Sequence, residues 1–198
     1  MSGPLLEREL QASLAVLDRR GFLRLTGLAA AAGLLPAGCG EAPAALRPPP
    51  GLVLRVLTPR SYATFQAAAL RILGPAGRAL ADAGAIDVAG RADGRLATLP
   101  AFAGLVQQAL LALEFGVWPL VPKLRPFTAL PEEARDQVLR GLATARLDLS
   151  RALFRGVRSF TWLAYYSAIQ SHAAIAYPGP FGGPGASVHD AMTYDPTL

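Results

Sequence analysis

Proline and glycine residues divide this sequence into short segments, and that division limits what the chain can fold into. Within the segments, apolar residues recur every three or four positions, a spacing that predicts one buried face of a helix. Proline removes a backbone hydrogen bond inside a helix, so Pro119, Pro122 and Pro126 exclude a continuous helix in that region. The sequence therefore predicts several short helices that pack on one another.

The first three helices are bounded by recognisable start and stop signals. Thr58-Pro59 supplies a hydroxyl N-cap and a proline at the first helical position, so a helix should run from there to about Leu73. A second, weaker helix should lie within residues 77–98, interrupted or ended near Gly90 and Gly94. The third should cover Pro100 to Phe115, where the apolar residues form one face.

The remaining part of the chain predicts one or two further helices and a tail. Pro131 opens a helix whose pattern runs to about Leu149, and it either continues or kinks into a fifth, from about Ser150 to Ser167. The segment from residue 52 to 57 is either extended or a lead-in to the first helix. From about Tyr177 the chain is rich in proline and glycine. We expect an all-α, irregular helical bundle of about 4–6 helices with a long, wrapping C-terminal tail.

The N-terminal region has the features of an export signal. Residues 18–24 read Asp-Arg-Arg-Gly-Phe-Leu-Arg and resemble the twin-arginine pattern, and a short, weakly apolar stretch follows. That stretch, residues 25–35, is too short to span a bilayer as a helix. We therefore interpret residues 1–38 as a twin-arginine signal peptide that directs folded export to the periplasmic side of a bacterial cell envelope. The residues that carry the signal are Arg19, Arg20, Phe22 and Leu23.

Cys39 is the single cysteine of the chain and directly follows this signal. Residues 36–39, Pro-Ala-Gly-Cys, resemble a lipobox, in which the cysteine becomes lipidated and anchors the protein to the membrane surface. The alternative is ordinary cleavage near this point, which leaves a soluble protein. Residues 39–50 are proline-rich and predict a stiff tether that does not pack, followed by a single helical domain over residues 51–198.

The charge pattern argues against nucleic-acid binding. The formal net charge is +5, but the basic residues are nearly all arginines that lie singly along the predicted helices. A nucleic-acid interface requires these charges to cluster in a patch or stripe. We therefore expect no nucleic-acid partner.

The sequence also lacks a convincing constellation for catalysis or for a bound cofactor. His172 and His189 are the only histidines, and their separation does not fit a helical metal site. Glu114 lies near an apolar helix face, where it either pairs with a neighbouring arginine, caps a helix end, or acts as a catalytic acid without an identifiable partner. Asp87 and Asp93 are interpreted as solvated or capping acids. We expect no catalytic, cofactor-binding or metal-binding residue in this chain.

Aromatic residues are dense near the end of the last predicted helix. Phe160 falls on its core face, whereas Trp162 and Tyr166 fall on a neighbouring face that is either core or part of a partner interface. The residues that we consider candidates for such an interface are Trp162, Tyr165, Tyr166, Tyr177 and Pro178.

Several short motifs, spaced over about residues 18–181, give the chain a family resemblance. Together with the twin-arginine leader, they resemble the gluconate 2-dehydrogenase subunit 3-type proteins, small subunits that accompany flavin-dependent (GMC-type) dehydrogenases. The motifs are Leu57-Thr58-Pro59, Leu113-Glu114, Arg125-Pro126-Phe127-Thr128, Leu130-Pro131-Glu132-Glu133-Ala134-Arg135, Tyr165-Tyr166 and Tyr177-Pro178-Gly179-Pro180.

The resemblance implies a non-catalytic small subunit of an oxidoreductase complex. Such a subunit would escort and stabilise an FAD-dependent alcohol or sugar dehydrogenase during folded export and anchor it at the membrane. The FAD would be bound by that large partner, and this chain would also interact with the twin-arginine export machinery. The alternative is a stand-alone, lipid-anchored helical binding protein of the cell envelope.

Overall fold

A computed structural model describes residues 42–116, 125–173 and 177 of the chain. These residues form seven α-helices and two 3-10 turns without any strand, which confirms the predicted all-α, irregular bundle. The turns are Ala44–Leu46 and Phe127–Ala129. In chain order the helices are α1 (Pro59–Ile72), α2 (Gly74–Asp82), α3 (Val88–Ala97), α4 (Pro100–Phe115), α5 (Glu132–Ala143), α6 (Asp148–Tyr166) and α7 (Ile169–His172).

Helix α1 lies at the centre of the bundle and contacts each of the helices α2 to α6. Much of its surface consists of alanine side chains, which let the neighbouring helices approach closely. Two large side chains of α1, Tyr62 and Phe65, are buried among them. The alanines of α1 that are completely buried are Ala63, Ala67, Ala68 and Ala69.

The start of α1 follows the capping signal in the sequence. The Thr58 hydroxyl oxygen accepts a hydrogen bond from the backbone N–H of Ser61 at 3.1 Å, and Pro59 is the first helical residue. The predicted start is therefore confirmed. The helix ends at Ile72, two residues before Gly74, whose φ of +67° is rarely adopted by a residue with a Cβ.

The segment that was expected to hold one weak helix contains two. The chain leaves α2 through Gly84, which has a φ of +70°, and α3 begins four residues later. Gly90 and Gly94 lie inside α3, so the expected interruption near them was wrong. The Asp87 side chain caps α3 by accepting the Gly90 N–H at 2.8 Å, which fixes the helix start ahead of both glycines.

Helices α5 and α6 are separate, although the apolar pattern continues across the boundary between them. Helix α5 ends at Ala143, and the Asp148–Tyr166 helix begins after a short turn. The Arg151 guanidinium donates to the carbonyl of Ala145 at 2.5 Å and so ties α6 back to this turn. Apolar spacing alone does not predict a turn that is stabilised by a side chain further along the chain.

The proline-rich segment before the bundle packs on it. The Ala44–Leu46 turn contacts α1, and the Leu46 side chain is buried within the hydrophobic core. The expectation that residues 39–50 form an unpacked tether was therefore wrong for residues 44–46. One leucine among the prolines supplies enough apolar surface to hold the turn against α1.

Candidate partner-binding site

The described residues contain no group of three or more histidine, cysteine, aspartate and glutamate side chains arranged to hold a metal ion. His172 lies at the end of α7, where its Nε2 atom is 3.2 Å from the carbonyl oxygen of Tyr166. Its ring also packs edge-on against Tyr177, with 5.0 Å between the ring centres. His172 therefore holds the end of α6 and Tyr177 together. His189 lies outside the described residues.

Glu114 is a structural carboxylate at the end of α4, with only 1% of its surface exposed. It accepts hydrogen bonds from the Thr128 N–H and hydroxyl at 3.1 and 2.6 Å, and from the Thr64 hydroxyl at 3.2 Å. The interpretation as an arginine-paired or helix-capping acid was wrong, because its partners are two threonines. Glu114 thus joins α4 to α1 and to the Phe127–Ala129 turn.

Arg135 completes this polar cluster from α5. Its guanidinium donates to the carbonyl of Thr128 at 2.8 Å, while its Nε atom is buried without a hydrogen-bond partner. Burial lowers the pKa of Arg135, and the nearby carboxylates of Glu132 and Glu114 act in the opposite direction. These contacts hold helices in place and leave Glu114 inaccessible to a substrate.

Asp93 is a second buried carboxylate, on α3, with 3% of its surface exposed. It accepts the backbone N–H groups of Arg55, Val56 and Leu57 at 2.7, 2.9 and 2.6 Å. The interpretation of Asp93 as a solvated or helix-capping acid was therefore wrong. Asp93 instead fastens the extended segment that leads into α1, a role with no signal in the local sequence pattern.

An ion-pair network joins α1 and α2 to α5. Arg71 binds Asp136 through two hydrogen bonds of 2.7 Å and Glu132 through a third of 2.5 Å. Arg78 also binds Glu132, through two contacts of 2.6 Å. Hydrogen bonding to Arg71 lowers the pKa of Asp136, and hydrogen bonding to Arg78 lowers that of Glu132.

Three of the predicted interface residues are exposed at or near the end of α6. Trp162, Tyr166 and Tyr177 have 41%, 43% and 43% of their surfaces exposed, and we call them the aromatic surface. Tyr177 joins it through its ring contact with His172. Ile169, at the start of α7, is exposed nearby in sequence.

One of the predicted interface residues is not part of this surface, and another lies outside the described residues. Tyr165 is 3% exposed and lies in the core, where its ring packs edge-on against Tyr166 at 5.1 Å between the ring centres. Its inclusion was wrong, because adjacent residues on a helix point in directions about 100° apart. Pro178 lies outside the described residues, as do the signal residues Arg19, Arg20, Phe22 and Leu23 and the lipidation candidate Cys39.

The aromatic surface continues into an open groove of about 340 Å³ between α5 and α6, beside the end of α1. Its apolar lining includes Leu139 and Phe154, and Trp162 belongs to both the groove and the aromatic surface. Arg158 lies along the same side of α6, with its guanidinium carbon 4.6 Å from the centre of the Trp162 ring. Residues 154, 158 and 162 are spaced four apart and therefore lie on one helix face. This spacing is visible in the sequence, but it did not predict a groove beside that face.

No family model, curated protein or solved structure matches this chain. Within the described ranges, no helix has both the length and the apolar character needed to cross a membrane. The surface itself is therefore the basis for a functional argument.

Proposed function

We propose that this chain is a non-catalytic small subunit that binds an FAD-dependent alcohol or sugar dehydrogenase, escorts it through folded export and holds it at the membrane. The observation that carries the proposal is the aromatic surface. Large aromatic side chains that remain exposed together are typical of the energetic centres of protein interfaces.

The buried polar groups support the same proposal. Glu114 and Asp93, the two buried acids of the described residues, are occupied by hydrogen bonds that hold the fold together. Neither is available to activate a substrate, and this favours binding over catalysis. The class of partner that we propose rests on the predicted leader and on the motifs that resemble those of subunit 3-type proteins.

An affinity purification from native membranes tests the proposal. The chain would carry a C-terminal tag, and the eluate from mild detergent would be examined by mass spectrometry and by visible absorption. We expect a large co-purifying chain with flavin bands, joined through an interface of about 2,000 Å² or more, as obligate pairs show. A colourless protein that elutes alone would refute the proposal and favour the stand-alone lipid-anchored binding protein.

A matched pair of variants connects the test to the surface. Trp162→Ala with Tyr166→Ala should reduce the recovered flavoprotein by about tenfold or more, because truncation of central aromatic residues typically costs most of the binding energy. Leu111→Ala removes a side chain that is equally exposed, on α4, and should leave recovery unchanged. Equal losses in both would show that the aromatic surface is not the contact.

A further inference from the structure

The groove between α5 and α6 carries an excess of positive charge. Three arginines and one aspartate line it, so the charged lining sums to +2. Arg71 is already engaged by Asp136 and Glu132. The guanidinium groups of Arg140 and Arg158 make no hydrogen bond or ion pair with any residue that the structure describes, although the charge of Arg140 helps to lower the pKa of Asp136. The groove therefore presents two guanidinium groups to which no carboxylate of the described residues is hydrogen-bonded.

Arg158 is held in the groove by aromatic rings instead of by a carboxylate. Its guanidinium carbon is 4.6 Å from the ring centre of Trp162 and 5.9 Å from that of Phe154. Its Nε atom is buried and has no hydrogen-bond partner. A buried donor without an acceptor is costly, and such groups are rare in folded proteins. An arginine positioned in this way is suited to bind an anionic group through charge-assisted hydrogen bonds.

The size and shape of the groove indicate what it can accept. About 340 Å³ is at the lower end of the range for small-molecule sites, and the groove is open to solvent. Such a space accommodates one or two side chains of an approaching protein segment. Because Trp162 lines the groove and also belongs to the aromatic surface, a single partner can cover both.

We propose that this groove binds an acidic segment of the protein partner, in which an aspartate or glutamate pairs with Arg158 and Arg140 and an adjacent apolar side chain packs on Trp162 and Leu139. The proposal rests on the proposed function for the existence of a protein partner, but it does not depend on that partner being a flavoprotein. Arginine binds carboxylates through two parallel hydrogen bonds, so the Nε–H that is now buried would gain an acceptor after a small side-chain shift.

Site-specific photo-crosslinking in the native host tests this assignment. A photoreactive amino acid would replace Ala143, which lines the groove, in the full-length tagged chain. The control position is Ala101, an exposed residue at the start of α4 that does not line the groove. We expect the probe at position 143 to crosslink to a partner peptide that contains an aspartate or glutamate within a few residues of the attachment site.

Charge reversal provides the second readout. Arg140→Glu with Arg158→Glu should reduce the crosslink at position 143 by at least about tenfold, because a carboxylate partner would then face like charges. Arg95→Glu with Arg125→Glu makes the same change in net charge at two exposed arginines outside the groove and should preserve the crosslink. Circular dichroism of all variants would confirm that each is folded.

The outcomes separate this inference from the proposed function. A crosslink to a segment without acids, to phospholipid, to residues 178–198 of the same chain, or to nothing would overturn the groove assignment. So would a crosslink that survives reversal of both groove arginines. If a flavoprotein co-purifies but crosslinks only from elsewhere, the proposed function stands and the groove assignment fails. If the groove crosslinks to an acidic segment of a protein without flavin, the groove assignment stands and the proposed function fails.

Discussion

Replacing Asp93 tests how the chain leading into α1 is secured. Its carboxylate accepts three backbone N–H groups, of which that of Leu57 is buried and those of Arg55 and Val56 belong to more exposed residues. Hydrogen bonds to a charged group contribute about 1.5–3 kcal/mol, and exposed donors recover part of this from water. One buried and two partly exposed bonds give an expected loss of about 4 kcal/mol for Asp93→Ala.

Asp93→Asn refines this prediction because it keeps the shape of the side chain. The amide oxygen can still accept the N–H groups of Val56 and Leu57. The amide nitrogen would face the N–H of Arg55, so that hydrogen bond would be lost. The expected loss is about 1–2 kcal/mol, roughly a third of the loss for alanine. If Asp93→Asn and Asp93→Ala lower the free energy of unfolding by about the same amount, the negative charge matters more than the number of acceptors.

Urea unfolding followed by circular dichroism, on the chain without its predicted leader, measures these losses. Hydrogen exchange of amides 55–57 gives a local readout, since their protection should fall in Asp93→Ala. Asp82→Ala is the control, because Asp82 is an exposed acid at the end of α2 that pairs with the neighbouring Arg78 on the same helix. If Asp93→Ala costs no more than this control, or if the three amides stay protected, the reasoning is refuted.

Three further predictions concern the core and its polar contacts. Ala67→Leu should destabilise the domain by about 1–3 kcal/mol in urea unfolding, because the central helix has no space for the larger side chain; unchanged stability would contradict close packing. Glu114→Ala should cost at least about 2 kcal/mol because it leaves the buried Thr128 N–H unpaired, whereas Glu133→Ala, at an exposed glutamate, should cost much less. Burial and the Asp87 hydrogen bond raise the pKa of Tyr62. The free energy of unfolding should therefore fall above about pH 10, where the tyrosine of the unfolded chain ionises before that of the folded chain. Tyr62→Phe should make this decline less steep.

The helix boundaries could be predicted where capping residues and prolines define them. Thr58-Pro59 set the start of α1, and Pro100 is the first residue of α4. The division of residues 74–97 was missed because it depends on a left-handed glycine, Gly84, and on an aspartate cap. Any of several glycines in that segment could have taken that role, and the sequence alone does not show which one does.

The contacts that define the site were less predictable because they join distant parts of the chain. Arg71 and Asp136 are 65 positions apart, and Glu114 meets Thr64 from 50 positions away. Local patterns show which face of a helix is apolar, but not which helix it meets. Helical spacing placed Trp162 and Tyr166 on one face but left open whether that face is core or interface, and the groove beside them required the position of α5.

The placement of α1 has a consequence for how the chain is made. Residues 59–72 leave the ribosome early, yet α6, one of the helices that covers them, begins only at residue 148. The alanine-rich surface of α1 therefore stays incomplete until most of the chain has been synthesised. For a cargo that is exported after folding, as we propose, a product truncated before α6 would display an open core. Because α6 comes late in the sequence, only a nearly complete chain can close the bundle.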